Sequence, residues 1–326
     1  MAPLDLAGWC SIRNFSTSPR IALGTMNFGG RTPEAEALRL LDLALERGVT
    51  LLDTANLYTG GASERIVGQA LRGKRDRALV ATKAGLNRVG GRPEGLAPAA
   101  LRASLEGSLR RLRLDQVDLF YLHAPDHQTP PQEIAAALGA LLQEGKIRAW
   151  GVSNFASWQT LELIHACEQV GTPRPLIAQM LYNPLLRQLD LEYARFRARY
   201  RLHTTVYNPL AGGLLSGRYG LDSAVPPGSR FDKNALYQRR YFSPRMLALV
   251  EEFHTIAREA GLSLVQLSYR WLVGRELVDS VLVGPATEGH LIDALEALQG
   301  GLDEGVQARV DEAYARWSGT DASYAR

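Results

Sequence analysis

Val117-Asp118-Leu119-Phe120-Tyr121-Leu122, then Ile134-Ala135-Ala136-Ala137-Leu138-Gly139-Ala140-Leu141-Leu142-Gln143-Glu144, then Ile147-Arg148-Ala149-Trp150-Gly151-Val152 is the stretch that decides the fold class. The outer runs are short and apolar, whereas the middle one repeats its apolar residues at helical spacing. No hairpin signal joins the outer runs, so they read as parallel strands with the helix as their crossover. The alternation extends both ways. Strands are expected at 20–23, 50–53, 78–81, 117–122, 147–152, 176–178, 204–207 and 280–283. Helices are expected at 34–47, 101–112, 134–144 and 158–170; the first places Ala37, Leu38, Leu41 and Leu45 on one face and stops at Gly48, and the last stops at Gly171. Eight strand-then-helix units without a hairpin signal read as one closed (β/α)8 TIM barrel over 1–326, with outer helices and long loops on its C-terminal face. The Pro/Gly cluster at 225–229 is a long loop after strand seven, and residues 1–19 show no strand pattern. The alternative is an open doubly wound sheet. Its G-x-G-x-x-G signature is absent, because Gly24-Thr25-Met26-Asn27-Phe28-Gly29-Gly30 has other spacing.

Composition narrows the class. The 326 residues are 46% hydrophobic and 22% charged, a balance that supports a large core and excludes a disordered chain. A net charge of +3 gives no reason to expect nucleic acid or a membrane surface as partner. No apolar run approaches the roughly 18 residues of a membrane span, and the first residues lack a signal peptide's charged and apolar regions. Cys10 and Cys167 lack metal-ligand spacing, so neither a metal site nor a disulfide framework is expected, and a cytoplasmic protein is. Only four of the 37 basic residues are lysine: Lys74, Lys83, Lys146 and Lys233. Codon bias explains the skew, yet each lysine merits inspection because its pKa can move and that of arginine cannot.

Chemistry in a barrel belongs at the C-terminal strand ends. Strand two ends in Leu52-Asp53-Thr54-Ala55-Asn56-Leu57-Tyr58, strand three in Thr82-Lys83, and strand four in Tyr121-Leu122-His123-Ala124-Pro125. Strand five ends in Gly151-Val152-Ser153-Asn154, strand six near Gln179, and strand seven in Tyr207-Asn208-Pro209-Leu210. Taken singly, Asp53 reads as a turn cap, Tyr58 as a loop aromatic, Lys83 as a solvated strand end and His123 as a satisfied core histidine. Their convergence on one mouth points instead to acid–base chemistry on a carbonyl. An ordinary tyrosine, with a pKa near ~10, is poorly matched to proton transfer at neutral pH. An adjacent ammonium lowers that pKa, and a carboxylate holds the ammonium in place. A histidine orients the carbonyl oxygen. Such a site requires a hydride donor.

The segments Asp53-Thr54-Ala55 through Tyr58, Thr82-Lys83, Leu122-His123 and Trp150-Gly151-Val152-Ser153-Asn154 resemble the aldo-keto reductase superfamily, in register from about Gly24 to Leu298. Asp118 to His127, and Tyr207-Asn208-Pro209-Leu210-Ala211-Gly212-Gly213-Leu214-Leu215-Ser216-Gly217-Arg218, are similar to the aflatoxin-aldehyde and succinic-semialdehyde reductase branch. The resemblance implies a catalytic tetrad of Asp53, Tyr58, Lys83 and His123, with Tyr58 as proton donor. It implies a nicotinamide cofactor held by Thr25, Met26 and Asp53, by Ser153, Asn154 and Gln179 at the carboxamide, and by Tyr207 against the ring. Asn208, Pro209, Leu210, Gly212, Gly213 and Arg218 would wrap the diphosphate, with Gly284, Thr287 and His290 at the adenosine end. NADPH is the expected cofactor and NADH the alternative, since Ala286 stands where many relatives carry a polar residue. Besides His123, the branch implies Tyr237, Arg240 and the terminal Arg326 for a substrate carboxylate. The usual N-terminal hairpin motif is missing.

These readings give an aldehyde reductase, carboxylate-bearing semialdehydes being candidate substrates, that is a monomer or homodimer whose partner is a small carbonyl compound. Two alternatives stand beside it. One is an NAD-dependent dehydrogenase of an alcohol or sugar; the other is a nicotinamide-binding, redox-sensing regulatory subunit.

Overall fold

The computed structural model describes residues 4–14, 17–221 and 224–319. Eight parallel strands close a barrel in sequence order: β1 (Arg20–Gly24), β2 (Leu51–Asp53), β3 (Leu79–Ala84), β4 (Val117–Leu122), β5 (Ile147–Ser153), β6 (Ile177–Leu181), β7 (His203–Tyr207) and β8 (Ser280–Val283), with β8 pairing back to β1. Helices follow the strands on the outside, among them Glu34–Glu46, Pro98–Leu112, Pro131–Gln143 and Ser157–Val170. The TIM-barrel expectation holds. Strand β6 lies later than the expected 176–178 and runs through Gln179 to Leu181. In the first outer helix Leu40 and Ala44 are buried with Ala37, Leu41 and Leu45, while Leu38 is only half-buried.

Each strand divides its side chains between two cores, as the period-two geometry requires. On β4, Phe120 and Leu122 join the layer under the helices, whereas Leu119 and Tyr121 fill the barrel interior with Ala22, Leu51, Leu79, Ala81, Ala149 and Ile177. Gly151 shows how tightly the wall is packed. A Cβ there would lie 2.4 Å from the Ile177 carbonyl oxygen.

Two segments depart from the sequence reading. A short antiparallel pair, Arg88–Val89 with Arg92–Pro93, turns at Gly90-Gly91 in the loop after β3. Both glycines have positive φ (57° and 78°), so Gly-Gly is the hairpin signal that the repeating pattern masked. The second concerns residues 1–19, which show no strand pattern in the sequence and stay unassigned there. Leu6–Trp9 forms a helical turn capped by Asp5, and Leu6, Trp9 and Cys10 close the barrel floor. Trp9 meets the buried His203 ring at 5.3 Å, His203 Nδ1 lies 3.0 Å from the Ser11 carbonyl, and the Arg13 amide donates to Asp279 Oδ1 at 2.7 Å. One helical turn does not show in a periodicity test.

Burial lowers the pKa of His203 to about 4. The unfolded chain therefore takes up its proton near the ordinary value of 6.5 and the folded chain only near 4, so this contribution to stability is present above pH 6.5 and lost as pH falls towards 4. Between pH 7 and about pH 4.5, wild-type protein should lose about 2 kcal/mol more than His203→Gln in urea unfolding. Parallel losses in the two proteins would remove His203 as a source of acid sensitivity.

Candidate active site

The register brings the predicted residues together. Asp53 closes β2 opposite Ala81, Lys83 on β3 faces Tyr121 on β4, Ser153 on β5 faces Gln179 on β6, and Leu181 faces Tyr207 on β7. Lys83 and Asp53 are fully buried and form an ion pair at the top of the barrel. The Lys83 ammonium has three protons and three acceptors: Asp53 Oδ1, the Thr54 carbonyl at 2.9 Å and the Tyr58 hydroxyl at 3.4 Å. Gln179 Nε2 donates to Asp53 Oδ2 at 2.8 Å. Both oxygens of Asp53 thus accept hydrogen bonds from donors, the arrangement of a carboxylate; burial raises its pKa above the ordinary value, and Lys83 and Gln179 oppose that rise. Burial opposes the Lys83 charge, but Asp53 and Tyr58 outweigh it and hold its pKa above the ordinary value.

Tyr58 behaves differently from the sequence expectation. Burial raises its pKa and Lys83 pulls it down, and burial prevails. The phenol therefore keeps its proton, as a donor must, and the ammonium moderates the rise instead of producing a net drop. His123 lies edge-on to Tyr58, with ring centroids 5.9 Å apart and planes at 79°. Burial, aided by the Lys83 charge, lowers its pKa to about 3, so the imidazole is neutral. Its Nδ1 is buried and lacks a hydrogen-bond partner among the described residues. A proton on Nε2 makes the ring a donor, able to polarise a carbonyl beside the Tyr58 hydroxyl.

On the other side of the mouth, Asn154 (φ 63°) donates to the His123 carbonyl at 2.9 Å and to Ser153 Oγ at 3.1 Å. Asn154 Oδ1 accepts from the Tyr207 hydroxyl at 2.6 Å. Asn208 (φ 62°) pins the next loop, accepting from the Gly212 amide at 2.6 Å and donating to the Tyr241 hydroxyl at 2.6 Å. Pro209 is buried and Leu210 half-buried at the start of that loop. Arg218 Nη2 sits 3.5 Å from His290 Nε2, and Thr287 caps the helix Glu288–Ala297 that follows Gly284 and β8. Thr25 is buried, with its hydroxyl bonded to the Asp53 carbonyl and to Ser63; Met26 is exposed.

Tyr237 and Arg240, which the resemblance assigns to a substrate carboxylate, lie on a helix. Asn234 caps Ala235–Tyr241, and this places Arg240 5.9 Å from the Tyr237 ring. The Arg240 charge also acts on Tyr207, lowering a phenol pKa that burial raises. Arg326 lies outside the described residues. One residue was missed. Arg230 donates to Asn27 Oδ1 at 2.9 Å, lies 5.2 Å from the Tyr237 ring, and acts electrostatically on Tyr58. It stands in the stretch Ser229-Arg230-Phe231-Asp232-Lys233 before that helix, where no spacing rule distinguishes it from its neighbours.

The Aldo/keto reductase family model matches residues 20–315. This chain belongs to the aldo/keto reductase family. The human Aflatoxin B1 aldehyde reductase member 2 is 37% identical over 302 residues, covering 87% of this chain and 83% of that protein. A probable voltage-gated potassium channel subunit beta from Oryza sativa subsp. japonica is 32% identical, covering 84% and 85%. Among solved structures, the glycerol dehydrogenase AKR11B4 from Gluconobacter oxydans superposes with a TM-score of 0.78 at 31% identity, over 94% of this chain and 96% of that one. This aldo/keto reductase is therefore an oxidoreductase whose acid, lysine, tyrosine and histidine meet at one barrel mouth. No helix among its described residues is long and apolar enough to cross a membrane.

Proposed function

We propose that this reductase reduces aldehydes to alcohols with NADPH, and that carboxylate-bearing semialdehydes are among its substrates. The observation that carries the reading is a protonated Tyr58 hydroxyl 3.4 Å from the Lys83 ammonium, beside a neutral His123. The name of the human relative supports an aldehyde as substrate class. Free, buried Cys10 and Cys167 support the expected cytoplasmic setting.

The loop after β7 fits a dinucleotide. Gly213 and Gly217 have positive φ, with nothing within 4 Å of the Cβ each lacks, and the buried Ser216 and Ser229 hydroxyls have no partner among the described residues. Arg218 and His290 supply positive or protonatable groups beyond it. Ser153, Asn154 and Gln179 would hold the carboxamide, Tyr207 the ring, residues 208–218 the diphosphate, and Gly284, Thr287 and His290 the adenosine end. When bound, the dinucleotide supplies the hydride. The chain's own residues do the rest. His123 Nε2 orients the carbonyl oxygen, Tyr58 passes its proton to that oxygen as negative charge develops there, and Lys83 stabilises the phenolate left behind.

The test is turnover of NADPH and NADH against succinic semialdehyde and a neutral aldehyde of similar size. Reduction of neither overturns the proposal. Oxidation of alcohols alone would favour the dehydrogenase, and tight cofactor binding without turnover the sensor. Arg240→Ala tests the carboxylate: a lost charge-assisted bond should cost on the order of 1.5–3 kcal/mol in kcat/KM for the semialdehyde, and little for the neutral aldehyde. Equal effects on the two would show that Arg240 does not read a carboxylate.

A further inference from the structure

Asp53, like Lys83, is fully buried, and its two oxygens are served from different strands. Oδ1 takes Lys83 from β3; among the described residues, Oδ2 takes only Gln179, which crosses the barrel from β6. Gln179 is itself buried. We propose that Gln179 is a positioning residue that keeps Asp53 ionised and aimed at Lys83, and so sets the charge beside Tyr58. This rests on the acid–base role given to Tyr58 above.

The physical case is one of local supply. A buried carboxylate without donors is driven to its neutral form. The other titratable groups around it help little. Tyr58 and Tyr121 add negative charge if they ionise, His123 is neutral, Arg230 acts on Tyr58 from the rim, and the Cys10 thiol lies below Tyr121. The Tyr121 hydroxyl is buried without a hydrogen bond among the described residues, so no nearby phenol stands in for the amide. Lower in the barrel, Thr205 and His203 are bonded to Ser280 at 2.7 and 2.8 Å. Among the described residues, the amide of Gln179 is therefore the one neutral donor that meets the carboxylate. An ion pair held by a single ammonium at one end would be free to rotate; a second donor on the opposite oxygen fixes its plane.

Two substitutions separate this role from a plain contact with cofactor. Gln179→Met keeps the length and removes the donor. The acid limb of kcat, measured at saturating cofactor, should move up by about one pH unit or more. Gln179→Glu should behave in the opposite sense. Two adjacent carboxyls share one proton, so the introduced group donates to Oδ2 while protonated, and activity falls on a new limb as the pH rises through its pKa. A third measurement needs no turnover: the urea-unfolding deficit of Gln179→Met relative to wild type should shrink as pH falls from 7.5 to 4, because the penalty exists only while Asp53 is ionised. A pH-independent loss, a rise in cofactor KM alone, or an unfolding deficit that stays constant with pH would overturn the assignment. If wild-type protein reduces no aldehyde, the proposed function fails, and the unfolding measurement still decides the role of Gln179.

Discussion

Tyr58→Phe should lower kcat for aldehyde reduction by roughly 10²–10⁴-fold, the usual worth of a positioned proton donor, while cofactor affinity and fold are preserved. The substitution removes one oxygen and nothing else from a residue that packs edge-on against His123. The phenol accepts one hydrogen bond, from Lys83 at 3.4 Å, and that ammonium keeps Asp53 and the Thr54 carbonyl as partners. Stability should therefore change little. Steady-state kinetics and a cofactor fluorescence titration make the comparison; more than about a tenth of wild-type turnover would place the proton donor elsewhere.

Lys83→Met should be damaging in two separable ways. Both partners of the Asp53–Lys83 pair are inaccessible to solvent, so removing the cation strands a buried carboxylate. Breaking such a pair costs about 3–5 kcal/mol, and Asp53 would recover part of that by taking up a proton. Activity should collapse as well, because among the described residues Arg230 at the rim is the one other cation that acts on the phenol. Adding Asp53→Leu should restore much of the stability, since an apolar pair can replace an ionic one, but none of the turnover. Recovery of both would mean that the charges serve only the fold. Recovery of neither would mean that the loss comes from packing.

The sequence showed the barrel and its tetrad for the same reason. Parallel strands buried on both faces read as short apolar runs, and a polar residue that interrupts the end of such a run stands out against them. Asp53, Lys83 and His123 are interruptions of that kind. Tyr58 is not on a strand, and the Asp53 motif that precedes it made it visible. The features that stayed hidden depend on contacts between distant parts of the chain. Nothing local marks Arg230 as the guanidinium that reaches Tyr58, or Gln179 as a partner of Asp53, because both choices are made by where two strands or loops meet in space. The net direction of the Tyr58 pKa was missed for a similar reason: the charge beside it was legible, and the extent of its burial was not.

The seal beneath the barrel imposes an order on assembly. Ser11 reaches His203, 192 positions away, and Arg13 reaches Asp279 across 266. Closing so long a loop adds little to the equilibrium cost, which grows only with the logarithm of its length. Timing is another matter. On a translating ribosome making about 5–20 residues per second, Arg13 emerges roughly 15–50 s before its partner. We expect a nascent chain halted before Asp279 to expose Trp9 and the lower ends of β2, β3 and β4 as one sticky funnel, a target for holding chaperones until the last strand arrives.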